Sequence, residues 1–267
     1  MYAFDYAKPA SLDEAARLLA DDPEAKALAG GQTYIPTLKQ RLAQPTRLVD
    51  LAGIPDLATI KEEGDGLAVG AMTTHKAVAA SPVVQRAFPE LAYLASLIGD
   101  PAVRAMGTIG GSVANNDPAA DYPVVVLTLD ATVRTTKGEH RGSDFFPGMF
   151  ETALEPDELI REFHIPVPEA AAWEKFRNPA SRYALVSVLL VRTKDGEIRC
   201  GVGGAGPTCF RATAIEDALR SSFAPEALDG VTIDAGDLNE DIHATAAYRA
   251  HLIPVLAKRC VRRMLRR

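Results

Sequence analysis

Behind Ser11, the apolar positions Leu12, Ala15, Ala16 and Leu19 recur at the spacing of one helix face. Ser11-Leu12-Asp13-Glu14 reads as a capping box at the start of that helix, and Asp21-Asp22-Pro23 ends it. Ala25 to Ala29 reads as a short buried strand. Thr33 is placed to cap a second helix with Pro36 in its first turn, and Thr46 to Asp50 reads as the next strand. The start is therefore a small β-α-β unit. The pattern changes near Gly53-Ile54-Pro55: Leu57–Glu62 and Leu67–Ala71 flank a Gly64-Asp65-Gly66 turn as a hairpin. Thr73-Thr74 reads as a helix cap, and Phe88 to Ile98 as a helix ended by Gly99-Asp100-Pro101.

The run Val124–Leu129 is apolar throughout and fits either a buried helix or a buried strand. Short strands are expected up to Ile165-Pro166, and Pro166-Val167-Pro168-Glu169-Ala170 marks a second break. Beyond it, Ala184–Thr193 and Glu197–Val202 form a hairpin around Lys194-Asp195-Gly196. Helices over Ala212–Ser221 and Ala244–Arg266 follow, the second bent at Pro254.

Composition narrows the function classes. With 47% hydrophobic and 24% charged residues among 267, the chain has material for a real core. A net charge of −6 argues against a general nucleic-acid binder. The basic run Lys258 to Arg267 reads as the solvated end of a final helix, where cations suit the negative helix terminus. Cys200, Cys209 and Cys260 are scattered, with no ligand cluster for an iron–sulfur centre, and fit a reducing compartment. The start has no signal-peptide pattern, and no stretch of about 18 apolar residues occurs. The expected location is the cytoplasm, without a transmembrane segment.

Two glycine pairs carry the chemistry: Ala29-Gly30-Gly31-Gln32-Thr33 and Thr108-Ile109-Gly110-Gly111-Ser112. Paired glycines let backbone N–H groups turn toward a ligand with no Cβ in the way, and a concave run of N–H groups binds anionic oxygen. Each pair alone also fits a tight strand-to-helix turn. Two together point to a diphosphate gripped from both sides, and so to a dinucleotide. Neither matches G-x-G-x-x-G or a P-loop. Asn115 and Asp121 offer oxygens to ribityl or ribose hydroxyls, with helix capping as the alternative. Gly201 to Thr208 reads as a strand end and turn where chains approach closely. The five histidines lack metal-ligand spacing, and helix-start packing is expected of His75. There is no G-x-S-x-G and no outstanding carboxylate pair, so a bound cofactor must carry any chemistry.

With Gly70-Ala71-Met72-Thr73-Thr74-His75, Asp117-Pro118-Ala119-Ala120-Asp121 and Gly204-Ala205-Gly206-Pro207-Thr208, the two glycine motifs stand in an order and spacing that resembles a known family. The chain is similar, from about Phe4 to about Leu265, to the FAD-binding medium subunit of molybdenum hydroxylases, in the carbon monoxide dehydrogenase and xanthine dehydrogenase branch. The resemblance implies an α+β fold: a two-subdomain FAD-binding fold of the vanillyl-alcohol-oxidase type, with divisions at 1–53 and 54–168, plus a C-terminal α+β domain at 169–267 typical of carbon monoxide dehydrogenase flavoproteins. It implies non-covalent FAD on this chain. It also implies a large partner subunit with the molybdenum–pterin cofactor and a small one with [2Fe–2S] clusters. Electrons would pass from those clusters through FAD to an acceptor.

Carried over by motif, Leu28, Ala29, Gly30, Gly31, Gln32, Thr33 and Tyr34 would grip the diphosphate with Thr108, Ile109, Gly110, Gly111 and Ser112. Asn115 and Asp121 would lie along the ribityl and ribose region, Ile98 and Gly99 beside the isoalloxazine ring, and Ile160 near the nucleotide. Lys175 would contact the flavin region and Tyr183 would cover the ring. Asn178 to Tyr183 lacks the acidic residue the family often carries there, and Met106 replaces a usual basic residue. The competing readings are a stand-alone flavin reductase of similar fold, disfavoured by the Gly-Pro-Thr turn, and a scaffold that has lost FAD, disfavoured by the intact glycines.

Overall fold

The computed structural model describes residues 1–266, so Arg267, the last cation of the basic run, lies outside the described residues. Strands β1 (Asp5–Ala7), β2 (Lys26–Leu28) and β3 (Arg47–Asp50) form a parallel sheet in the order β1-β3-β2. Helices α1 (Leu12–Ala20) and α2 (Tyr34–Lys39) connect them. Ser11 Oγ accepts the Glu14 N–H at 3.2 Å, while the Glu14 carboxylate reaches back to the Ala10 N–H at 2.9 Å, one residue beyond the cap. Ala15 and Leu19 then bury against Ala25, Val49 and Leu51.

Residues 60–166 build an antiparallel sheet in the order β4-β5-β8-β6-β7 from β4 (Ile60–Glu63), β5 (Gly66–Gly70), β6 (Thr132–Thr135), β7 (Glu139–Arg141) and β8 (Ile160–Pro166). Six short helices lie between β5 and β6: α3 (His75–Ala80), α4 (Pro82–Ala87), α5 (Pro89–Ser96), α6 (Pro101–Met106), α7 (Ile109–Asn115) and α8 (Tyr122–Thr128). Thr74, Ser81, Asp100 and Thr108 each cap one with a side-chain oxygen. The apolar run at Val124–Leu129 thus belongs to a helix, α8. It lacks helical periodicity because it is buried nearly all round.

The third sheet is antiparallel, in the order β12-β11-β10-β9, from β9 (Ala170–Arg177), β10 (Ala184–Arg192), β11 (Ile198–Gly203) and β12 (Phe210–Arg211). Side chains alternate across a strand, and here the two faces serve two cores. Leu189, Val191, Ala171 and Trp173 join the core of the preceding segment. Val186, Val188, Leu190 and Ala172 join a second core under α9 (Thr213–Ser221) and α10 (Ala246–Leu265). Gly201 and Gly203 allow α8 to lie on β11: a Cβ on Gly201 would collide with Thr128 Oγ1, and one on Gly203 would stand 2.5 Å from Val124 Cγ2. The glycine-rich stretch therefore has the close-approach role expected of it.

The basic C-terminal run is not simply solvated. Leu252, Ile253, Leu256, Ala257, Cys260 and Val261 bury one face of α10. From its flank Arg263 donates to both oxygens of the buried Glu90 at 3.0 and 3.1 Å, and to the Trp173 carbonyl. Its guanidinium also lies over the Tyr93 ring. One cation thus ties α10 to α5 and β9. Replacing Arg263 by Met should lower unfolding free energy by about 2 kcal/mol. That is below the ~3–5 kcal/mol for fully buried pairs, because Arg263 is partly exposed and Glu90 also accepts the Trp173 N–H. Urea denaturation of the variant checks this.

Candidate functional site

The first glycine pair follows β2 directly. Gly31 takes a left-handed φ of +67°, a conformation that suits glycine. The chain then enters α2, where Ile35 N–H already bonds to Gly31 O at 3.1 Å. Thr33 stands at the N-cap, but its side chain makes no capping bond and its backbone is already helical. The expected Thr33 side-chain cap is therefore corrected: the helix bonds begin two residues earlier, at the Gly31 carbonyl, which leaves the Thr33 hydroxyl uncommitted. The amide N–H groups of Gly30, Gly31, Gln32 and Thr33 donate to no acceptor among the described residues. Four successive open donors at a left-handed turn form an anion-binding nest.

The second glycine pair is built differently. It is the first turn of α7, not a free-standing turn. Ile109 N–H donates to Thr73 O at 3.0 Å and Gly110 N–H to Ala71 O at 2.8 Å. Gly111 N–H goes to Thr108 Oγ1 at 3.1 Å and Ser112 N–H to Thr108 O at 3.0 Å. The expectation that this pair turns its N–H groups to a ligand is corrected, because the protein consumes them. Its glycines serve close approach instead. A Cβ on Gly110 would sit 2.6 Å from Ala71 O, and none of Gly30, Gly110 and Gly111 has a positive φ.

The two pairs meet. A Cβ on Gly30 would strike the Met106 carbonyl and stand 2.8 Å from Gly107 Cα. A Cβ on Gly111 would stand 3.3 Å from Ala29 Cβ. Over this junction runs a cleft of about 660 Å³, within the ~300–1,000 Å³ range of small-molecule sites. Every residue expected from sequence to touch a ligand lines it, except Ile109, which is fully buried in the core. Leu28 to Tyr34 form one wall, and Thr108 and Gly110 to Ser112 the floor beside it. Ile98 and Gly99 line it with Tyr183, whose neighbour Arg182 donates to the Gly99 carbonyl, and Ile160 lines it with Leu154 and Leu159.

Polar groups converge on the cleft. Lys175 Nζ donates to Asp121 Oδ2 at 2.6 Å, with both side chains only 3% exposed. Asp121 heads α8 without capping it, and its Oδ1 is buried with no partner. Burial pushes its carboxyl upward and Lys175 pulls it back. Within the turn it is Asn116, left-handed at φ 40°, that holds neighbouring chain: its Nδ2 donates to Gly148 O and Glu151 O. Asn115 makes no such bond and lines the cleft.

Sequence reasoning missed Arg104 and Arg182, which both donate to the Gly99 carbonyl, at 3.1 and 3.3 Å. No local pattern marks them, because their partner is a backbone oxygen fixed by the fold. His75 begins α3 as expected and packs on Tyr122, but it also lines the cleft. Burial, then the nearby Arg104, holds its imidazole down to about 4, so it is neutral near pH 7. All three cysteines are buried thiols, and burial pushes Cys209 up to about 12. Among the described residues no group of three or more His, Cys, Asp or Glu is arranged to hold a metal ion, and no helix is long and apolar enough to cross a membrane.

Residues 2–168 match the family described as "FAD binding domain in molybdopterin dehydrogenase". The chain is 35% identical to the nicotine 6-hydroxylase medium subunit of Paenarthrobacter nicotinovorans, over 97% of this chain and 96% of that protein. It is 36% identical to the carbon monoxide dehydrogenase medium chain of Afipia carboxidovorans, over 98% of this chain and 96% of that one. The structure superposes on a chain of reconstituted CO dehydrogenase from Oligotropha carboxidovorans with a TM-score of 0.90, at 34% identity, covering 98% of each.

The glycines predict unequal stability effects. Gly30→Ala places a methyl against the Met106–Gly107 backbone, which cannot rotate away, and should cost a few kcal/mol of stability, about the scale of overpacking. A Cβ at Gly111 meets only side-chain atoms, the Thr108 hydroxyl and Ala29 Cβ at 3.0 and 3.3 Å, so Gly111→Val should melt above Gly30→Ala. Thermal unfolding of the two variants side by side decides this.

Proposed function

The chain belongs to the FAD-binding family of molybdopterin dehydrogenases, and we propose that it is the flavin-carrying, electron-transferring subunit of a molybdenum hydroxylase complex. The observation that carries the reading is the cleft itself, with four open amides at one turn and a buried, half-used carboxylate across it. The donor set fits FAD. The Gly30–Thr33 amides suit diphosphate oxygens, with the unbonded Ser112 hydroxyl facing the same cleft. Asp121 Oδ1 suits a polyol hydroxyl, and Ile98, Gly99 and Tyr183 offer an apolar and aromatic wall for a flat ring. When bound, FAD can take electrons singly from iron–sulfur centres and release them in pairs.

In this reading the chain's residues bind and orient, and no side chain performs bond chemistry. The nest and Ser112 hold the diphosphate. Arg104 and Arg182 fix the Gly99 carbonyl and bring positive charge to the ring end. Tyr183, half-exposed at the tip between β9 and β10, screens that end from water. We assign one sheet to each of the units 1–53, 54–168 and 169–267, and residues of all three line the cleft. We assign the molybdenum–pterin cofactor to a large partner and [2Fe–2S] clusters to a small one. Relatives of this length that bear the words medium subunit or medium chain support that division. A cytoplasmic location goes with these partners.

Denaturing the yellow protein should release free FAD into the supernatant. Flavin that stays with the chain would contradict a non-covalent site. Gly111→Val should stay folded and lose FAD, because two methyls enter the gap between the turns; equilibrium dialysis against FAD measures this. The isolated chain should not turn over the complex's organic or gaseous substrate. Adding the molybdenum and iron–sulfur subunits should restore substrate-dependent bleaching of the flavin band. Turnover by the chain alone at about 1 per second or more, an enzyme-like rate, would refute the carrier role.

A further inference from the structure

The Asp121–Lys175 pair is an odd structural element. A buried ion pair contributes little net stability, because desolvation offsets the attraction. Here half the carboxylate is not used at all: Oδ2 takes the ammonium at 2.6 Å and Oδ1 is buried without a partner. Asp121 also stands at the N-cap of α8 yet bonds none of its amides, so it forgoes the usual role of an aspartate there. Lys175 comes from β9, in the third sheet. It shares the β9 face of Ala171 and Trp173, which pack into the same core that surrounds α8. Both members of the pair line the cleft.

We propose that Lys175 is a positioning residue that keeps Asp121 a carboxylate with Oδ2 occupied and Oδ1 open, so that the cleft presents a fixed anionic acceptor to a hydroxyl of the bound cofactor. The inference rests on the flavin reading of the cleft and assigns Lys175 a role exerted through Asp121. The other groups around the carboxylate do not supply the charge. Asp117, in the same turn, is acidic and accepts the Ala119 N–H. Tyr122 and Tyr183 face Asp121 as neutral phenols whose ionisation burial opposes. His75 lies behind the Tyr122 ring and is neutral near pH 7. Lys175 is therefore the cation that opposes burial of Asp121, and burial remains the larger of the two effects on its carboxyl.

The sign of the pH effect follows. If Lys175 holds Asp121 ionised in the free and the bound protein, FAD affinity does not change through Asp121 between pH 6 and 8.5. Without the ammonium, burial keeps the free protein's Asp121 protonated, and binding to the carboxylate form must release a proton. Affinity then rises with pH, by up to about tenfold per unit while the group remains protonated.

The test titrates FAD into the flavin-free full-length chain from pH 6 to 8.5, read by quenching of flavin fluorescence. The parent and Lys175→Arg should give flat profiles. Lys175→Met should bind at least about tenfold more weakly at pH 6, the loss of one charge-assisted hydrogen bond, and recover as pH rises. Asp121→Asn should be weak and flat. A flat Lys175→Met profile, or a Lys175→Arg profile with the slope of Lys175→Met, overturns the inference while leaving the flavin reading intact. A parent chain that binds no FAD overturns both. Because Lys175→Met removes a buried partner and could fail to fold, the parent supplies a second readout. The Asp121 carboxyl carbon resonance, assigned by its loss in Asp121→Asn, should not titrate between pH 5.5 and 8.5, and a titration there overturns the inference.

Discussion

At Gly30 the backbone of the first glycine turn lies directly on the backbone of Met106 and Gly107, in space any Cβ would fill. That contact sets the distance between the parallel sheet and the helices of residues 75–128, and the cleft exists because of that distance. Gly110 repeats the device one layer down, where α7 rests on Ala71. Backbone against backbone cannot relax by changing a rotamer, so the two turns are held more rigidly than side-chain packing would hold them. A rigid gap is what a diphosphate site needs, since the amides must already point at the ligand when it arrives.

The two glycine pairs divide the work. The first, with its left-handed Gly31, leaves four N–H groups open. The second spends its N–H groups on Thr73, Ala71 and Thr108 and so anchors α7 to the end of β5. One turn binds and the other braces. The third sheet then closes the arrangement. Its alternate side chains belong to two cores, so β9 cannot shift without disturbing both, and Lys175 and the tip bearing Tyr183 are delivered to the cleft by that strand. Arg263 locks the same strand from α10.

Much of this was legible in the sequence, for physical reasons that differ by element. The capped helix at Leu12, the hairpin around Lys194-Asp195-Gly196 and the cap at Thr74 are local devices, and they fold as local rules predict. The glycine pairs were visible, and all but Ile109 of the residues tied to them by motif line the cleft. What each glycine does was not visible, because Gly30 and Gly110 look alike until the backbones they touch are known. β9 gave little strand signal: Ala170-Ala171-Ala172 has no alternation of character, and Ala171, Ala172 and Trp173 are buried in succession because both faces of the strand are covered, each by its own core. α8 was ambiguous because a helix buried all round has no polar face. Arg104, Arg182 and Arg263 act on backbone oxygens, and no residue pattern announces such partners.

Backbone amide hydrogen exchange, resolved residue by residue with and without FAD, tests the division of labour between the two turns most directly. The amides of Gly31, Gln32 and Thr33 are expected to exchange rapidly in the flavin-free chain and to become protected by FAD. The Gly110 amide, bonded to the Ala71 carbonyl, is expected to be slow in both states. Protection by FAD that leaves residues 30–33 unchanged, or a Gly110 amide that exchanges freely until FAD is added, would contradict the account.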